Sequence, residues 1–192
     1  MALKFAILTA LTERECSGFE LARRFDRLYG FFWSASHQQI YRELERLRTT
    51  GWITEVPLPG RSERGQPKRF TITESGTTAL HEWTGEIDEP THSRESLMVK
   101  TRAAASGGDL DGLRAVIEHH LAVHNGNLGE HTEVQNRDFA SIGTDADALR
   151  HLVLKAGIAM EQFWVDWCRE ALDTLHAIQA RPATEPKPQF HD

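Results

Sequence analysis

The 192-residue chain is 40% hydrophobic and 26% charged, the proportions of an ordinary globular protein with enough apolar side chains for a core. No stretch approaches the ~18 apolar residues of a membrane span, no secretory leader opens the chain, and the distant Cys16 and Cys168 set up no disulfide framework, so a reducing cytoplasm is the expected compartment. The net charge of −6 is unevenly divided: residues 1–85 hold 12 Lys/Arg against 10 Asp/Glu, and residues 86–192 hold 10 against 18. Exposed charges are screened beyond roughly 8–10 Å, so an acidic second half does not veto an anion-binding face in the first.

Leu3, Ile7, Leu8 and Leu11 fall on one helical stripe. Ser17 with Glu20 three residues later is a capping box that opens a second helix, whose inward face is Leu21, Phe25 and Leu28 and whose end is Gly30. Ser36 with Gln39 repeats the signal for a third helix with Ile40, Leu44 and Leu47 inward and Gly51 as its stop. Thr54–Val56 and Arg69–Ile72 are short runs of strand preference, separated by a tip, Gly60 to Pro67, that contains Arg61, Arg64 and two glycines. Thr73-Glu74-Ser75-Gly76 reopens a helix carrying Leu80 and Trp83.

From Glu86 to Ser96 the periodicity lapses, with Asp88-Glu89-Pro90 as a linker. A helix from Leu97 to Ala105 breaks at Gly107-Gly108, and Asp109 caps the next, with Leu113, Ile117, Leu121, His124 and Leu128 on one face. After a break at Ser141 to Asp145, apolar residues from Leu149 to Ile178 recur every three or four positions, a wide stripe on a long helix. The Pro-rich residues 182–192 are expected to be disordered.

The chain therefore reads as mainly α with a small two-stranded wing. Residues 1–85 form a winged helix-turn-helix, 86–96 a linker, and 97–181 a helical dimerisation and possible effector domain. Leu21 to Phe25, Phe32-Trp33-Ser34-Ala35-Ser36-His37-Gln38-Gln39-Ile40-Tyr41, Leu44, Leu47, Gly51 and Lys68-Arg69-Phe70-Thr71-Ile72-Thr73 resemble the PadR family of transcriptional regulators. The longer helical second half resembles the form of that family with an extended C-terminal domain. The resemblance implies a non-enzymatic, homodimeric repressor with no cofactor. Its C-terminal helices exchange with the partner, and small aromatic or hydrophobic effectors release some members from DNA. Two positions depart from the pattern: Arg42 follows Tyr41 where the family often has Pro, and Phe70 replaces a common Tyr.

With Ile40, Leu44 and Leu47 inward, about 100° per residue turns Gln38, Arg42 and Glu45 outward, with Gln39, Tyr41 and Arg46 on the flanks. Gln38 or Gln39 suits an adenine edge and Arg42 a guanine edge, while Ser36 at the helix N-terminus suits a phosphate. Glu45 points the same way and counts against this face, since it would repel the DNA backbone, unless it accepts from a cytosine amine or pairs with an Arg. Arg61, Arg64, Lys68 and Arg69 are the expected phosphate contacts of the wing, which fix register without reading sequence.

On the last helix, Met160, Phe163, Trp164 and Trp167 are candidates for a dimer seam, an effector wall, or both. Trp33 and Trp83 read as packing residues. The rival readings are a metal-responsive regulator using His119, His120, His124 and His131, a redox regulator using Cys16 or Cys168, and a winged-helix module that contacts only proteins. No phosphate-binding Gly loop or nucleophile elbow supports an enzyme.

Overall fold

The computed structural model describes residues 2–25, 35–56, 68–90 and 95–181. The chain divides into two compact units, Met1–Thr91 and His92–Asp192.

In the first unit, helices α1 (Leu3–Glu13), α2 (Gly18–Arg24), α3 (His37–Thr49) and α4 (Glu74–Thr84) surround one apolar cluster. Ile7, Leu8, Leu21, Phe25, Ile40, Leu47 and Ile53 are each at most 2% exposed. Each such burial removes enough apolar surface to favour folding by about 1.5–3 kcal/mol before chain entropy is counted. Phe5 extends the cluster by stacking on Trp83, ring centroids 4.4 Å apart. Trp83 is a packing residue, as read from sequence; Trp33 lies outside the described residues.

Both capping boxes form. Ser17 Oγ accepts from the Glu20 amide and the Ser17 amide donates to Glu20 Oε2 at 2.8 Å. Ser36 and Gln39 do the same, the Ser36 amide donating to Gln39 Oε1 at 2.8 Å. At the other end of α3, Gly51 takes φ of 75°, and the Trp52 amide donates back to the Leu47 carbonyl at 3.0 Å. The expected end of the second helix at Gly30 lies outside the described residues.

Strands β2 (Ile53–Glu55) and β3 (Arg69–Ile72) pair antiparallel in the register Ile53↔Ile72, Thr54↔Thr71, Glu55↔Phe70. A third strand, β1 (Cys16–Ser17), pairs with the other edge of β3, so the sheet order is β1-β3-β2. The sequence reading missed β1 because two residues carry no periodicity; its partner lies more than fifty residues away. Thr73 locks the base of the hairpin. Its hydroxyl donates to the Gly51 carbonyl at 2.7 Å and accepts from the Gly76 amide at 3.2 Å.

The second unit holds α5 (Ser96–Ala104), α6 (Leu110–Asp138) and α7 (Asp145–Gln179). Gln179 near the end of α7 bonds Asp111 at the start of α6, while His151 near the start of α7 stacks on Phe139 just past α6, so the two helices run antiparallel. Asp109 caps α6 through a 2.9 Å bond from the Gly112 amide, and Thr144 caps α7.

The buried positions of α7 are Leu154, Gly157, Glu161, Val165, Cys168 and Leu175. Their spacing of three, four, four, three and seven is that of a helix pair. Within the unit the apolar stripe on α7 divides between two environments: Leu149, Leu152, Val153, Met160 and Phe163 are exposed, whereas Trp164, Trp167, Ala171 and Leu172 pack inside it.

Candidate nucleic-acid interface

The amphipathic phase of α3 decides what this helix offers. Ile40, Leu44 and Leu47 anchor it in the core, which leaves Gln38, Arg42 and Glu45 on the opposite, exposed face. Gln38 and Arg42 make no hydrogen bond or ion pair with any described residue, so both side chains remain able to reach outward. Tyr41 is half exposed and sits over the start of α2: a Cβ added at Gly18 would lie 2.5 Å from its ring.

Glu45 is not an isolated acid. Arg48 grips it with two hydrogen bonds, Nε to Oε2 at 3.0 Å and Nη2 to Oε1 at 2.5 Å. Those bonds hold the Glu45 carboxyl below the usual carboxylate range, and the pair presents little net charge. The obstacle foreseen in the sequence is thus met by a neighbour on the same helix. Gln39 is more constrained than its position suggested, because its carbonyl oxygen is committed to the Ser36 amide and only its NH2 group remains to donate. Ser36 Oγ accepts from the Gln39 amide.

The residues expected on the wing separate into different roles. Lys68 is exposed and bonds Glu55 across the hairpin at 2.7 Å. An exposed pair of this kind contributes at most about 1 kcal/mol and exchanges easily for a phosphate. Arg69 is largely withdrawn from solvent. Its Nη1 donates to Glu20 Oε2 at 3.0 Å and its Nη2 to the Glu15 carbonyl at 2.7 Å, clamping β3 to the entry of α2. Glu20 is therefore shared between helix cap and clamp. Its carboxyl lies below the ordinary range, first because the Ser17 amide donates to it and further because of Arg69. Sequence spacing places Arg69 on a basic hairpin but cannot show a partner forty-nine residues upstream. Arg61 and Arg64 lie outside the described residues.

In the second unit, Met160 and Phe163 are exposed, whereas Trp164 and Trp167 line the packed side. Phe163, Trp164 and Trp167 form a ladder of edge-on contacts, with centroids 5.3 and 6.0 Å apart. Trp164 also stacks on His124, whose Nδ1 meets the buried Glu161 carboxylate at 2.5 Å; Asn127 donates to the same carboxylate at 3.1 Å. Sequence reading passed over Glu161, as it did Leu154 and Val165 of the same seam, because the stripe it followed runs along a different phase of the helix. This contact engages one of the histidines in the metal reading. Burial pushes both cysteine thiols up, the opposite of what a thiolate sensor needs.

Two family models divide the chain between them. Residues 7–82 match the PadR-like transcriptional regulator family, and residues 93–176 match the family described as virulence activator alpha C-term. A probable transcriptional regulator of Mycobacterium tuberculosis is 36% identical over 189 residues, covering 91% of this chain and 98% of the relative. The chain is a member of the PadR family of transcriptional regulators.

Its PadR fold extends through both units. PadR of Bacillus subtilis, solved in complex with operator DNA, superposes with a TM-score of 0.75 at 27% identity, covering 91% of this chain and 99% of that one. The same protein in complex with p-coumaric acid gives 0.71 at 28% identity, over 92% and 99%. The Vibrio cholerae virulence activator AphA gives 0.73 at 26% identity, over 92% and 99%. The PadR family and these relatives are regulators of transcription, not enzymes.

Proposed function

We propose that this PadR-family chain is a sequence-specific DNA-binding repressor. It acts as a homodimer joined through its C-terminal helices and is released by a small aromatic or hydrophobic effector. The observation that carries the reading is the outward face of α3, where Gln38 and Arg42 have no partner among the described residues and the nearby acid Glu45 is neutralised by Arg48. A recognition helix reads bases with its N-terminal turns, and these residues occupy the first two turns of α3. Lys68, with Arg61 and Arg64 of the wing, supplies phosphate contacts; Arg69 holds the hairpin in place.

The B. subtilis relative supports the DNA and small-molecule parts of this reading: one of its structures contains operator DNA and another p-coumaric acid. That protein, described as a negative transcriptional regulator, is also 42% identical over 82 residues. Two α3 helices in a homodimer would enter successive major grooves about 34 Å apart, which requires an inverted-repeat operator. An effector acts by binding more tightly to the dimer in which that spacing is lost. The cytoplasm is the compartment this role requires, and no described helix is long and apolar enough to cross a membrane.

Activation is a second reading, favoured by the match of residues 93–176 to the virulence-activator C-terminal family. Transcription from the bound promoter with added protein separates the two signs.

Fluorescence anisotropy on DNA from the protein's own upstream region, with scrambled DNA alongside, tests the central claim. Preferential binding is expected, with log K falling against log salt at about 0.9 per neutralised phosphate. Neutralising Arg42, Arg64 and Lys68 together should abolish binding while helicity and dimerisation persist. Equal, salt-insensitive binding to both DNAs would overturn the proposal.

A further inference from the structure

A cleft of about 580 Å³ opens between α5, the N-terminal part of α6 and the C-terminal part of α7. Protein interiors pack to crystal density, so a void of this size marks a place where the chain's own side chains stop short. The cause is local. Thr101, Ala104, Ala105 and Gly107 on and after α5 are small, and they face larger groups on the other helices, Leu113 and Ile117 on α6 and Trp167 and Leu175 on α7. The volume lies within the 300–1,000 Å³ that encloses a drug-sized ligand.

The polar groups of the cleft are few, and most are acceptors. Trp167, Glu170, Thr174 and Ile178 recur every three or four residues on α7, so they lie along one side of that helix. The Glu170 carboxylate makes no hydrogen bond or ion pair with any described residue, and no residue lining the cleft is basic. The Thr174 hydroxyl and the Trp167 indole N–H are likewise unbonded among the described residues. The Thr101 hydroxyl already donates to the Leu97 carbonyl and can only accept. An anion entering this cleft would meet a carboxylate and no counter-charge. A cation would gain a partner at Glu170, in a cleft that the Trp167 indole also lines.

We propose that this cleft binds a small molecule with a planar apolar body and a single positive charge, the body against Trp167, Leu113 and Ile117 and the charge at Glu170. Trp167 also connects the cleft to the ladder through Trp164 to the exposed Phe163, so an occupant would bear on the aromatic side of α7. That the ligand acts as the effector rests on the regulator reading above; that it binds does not.

The test is calorimetric titration of the full chain with three naphthalenes of one shape: 1-naphthylmethylammonium, neutral 1-naphthylmethanol and anionic 1-naphthoate. The cation should bind about fivefold more tightly than the alcohol, the margin of a partly exposed charge pair, and the anion should bind weakest. Glu170→Gln should erase the cation's advantage while keeping the alcohol, and Ala171→Phe, with helicity checked, should weaken both. No binding by any of the three, equal binding of all three, or a cation advantage that survives Glu170→Gln overturns the proposal. So does an Ala171→Phe variant that binds all three as before but turns monomeric, since the cleft would then belong to a second copy. Repeating the titration on the DNA complex separates the two readings. Binding without any change in DNA affinity leaves the site standing and removes its role as the effector site.

Discussion

The two units use their polar side chains in opposite ways. In the first, four helices and a three-stranded sheet close around a single apolar cluster, and charged groups at its edge tie neighbouring elements together: Arg69 to Glu20, and Arg24 to Glu13 and the Ala10 carbonyl. In the second, two helices of 29 and 35 residues share a narrow seam in which a carboxylate, Glu161, is buried. A helix pair has no second layer, so the apolar side chains that do not face the seam remain outside, as Leu149, Leu152, Val153, Met160 and Phe163 do. The first unit holds the outward face of α3, the proposed recognition face, in place by its own packing. The second keeps apolar surface and a cleft in reserve, which suits a region whose proposed partners are a second copy and a ligand.

The strongest way to break this contrast is Gly76→Val. A Cβ at Gly76 would stand 2.2 Å from the Trp52 carbonyl oxygen, and that backbone atom is fixed by the Thr73 amide. Forcing helix α4 away from the hairpin base is expected to cost the first unit about 4 kcal/mol or more. Urea unfolding followed by Trp fluorescence should show an early transition, with the helicity of α6 and α7 persisting to higher denaturant. A single shared transition would show that the units are not independently stable.

Next in size is Glu161→Ala, which leaves His124 and Asn127 facing the seam without their acceptor. Breaking a buried pair on one side is expected to cost about 3 kcal/mol, whereas replacing both Glu161 and His124 with Leu should recover most of that loss, short of the donor left on Asn127. The melting midpoint of the second unit measures both. If the double replacement is as damaging as the single one, the seam needs its polar pair for more than satisfaction of each other.

The sequence showed local features and concealed the non-local ones. Ile40, Leu44 and Leu47 announced the inward face of α3 because the helical period repeats within a few residues, and Ser17/Glu20 and Ser36/Gln39 announced two helix starts because a capping box spans one turn. The strand at Cys16–Ser17, the clamp from Arg69 to Glu20 and the pairing of His124 with Glu161 join residues tens of positions apart, and no period marks them. On α7 the stripe read from sequence holds Leu175 but not Leu154, Val165 or Cys168, which are buried, because apolar residues occur on several sides of this helix and their spacing fits more than one phase. Only the packing of α6 against α7 shows which of them face the seam.

A smaller pair of effects sharpens the difference between clamp and contact on the hairpin. Arg69→Lys keeps the charge but loses the two-pronged bond to Glu20 and the Glu15 carbonyl, for an expected loss of about 1 kcal/mol. The salt slope of DNA binding should not change. Lys68→Ala should do the reverse: no measurable loss of stability, and a slope smaller by about 0.9. A reduced slope in Arg69→Lys would mean that Arg69 leaves its clamp to meet a phosphate.

The smallest expected effect separates the units by pH. The His120 imidazole is held below its ordinary range, chiefly by burial and then by the neighbouring His124, His119 and Lys100. Folding therefore disfavours the cation, and the unfolded chain takes up the proton more readily. The stability this group contributes is complete above its unfolded pKa of about 6.5 and is lost as pH falls through the lower folded value. Glu20 in the first unit is also shifted down, by the Ser17 amide and Arg69, but as a carboxyl its contribution is complete above about 4.3 and is lost only below that. Between about pH 7 and about pH 5.5 the midpoint of the second unit should therefore fall while this contribution to the first stays constant. His120→Gln should flatten that slope. If the variant keeps the full slope, protonation elsewhere in the second unit sets its response to acid, and the burial of His120 has no part in it.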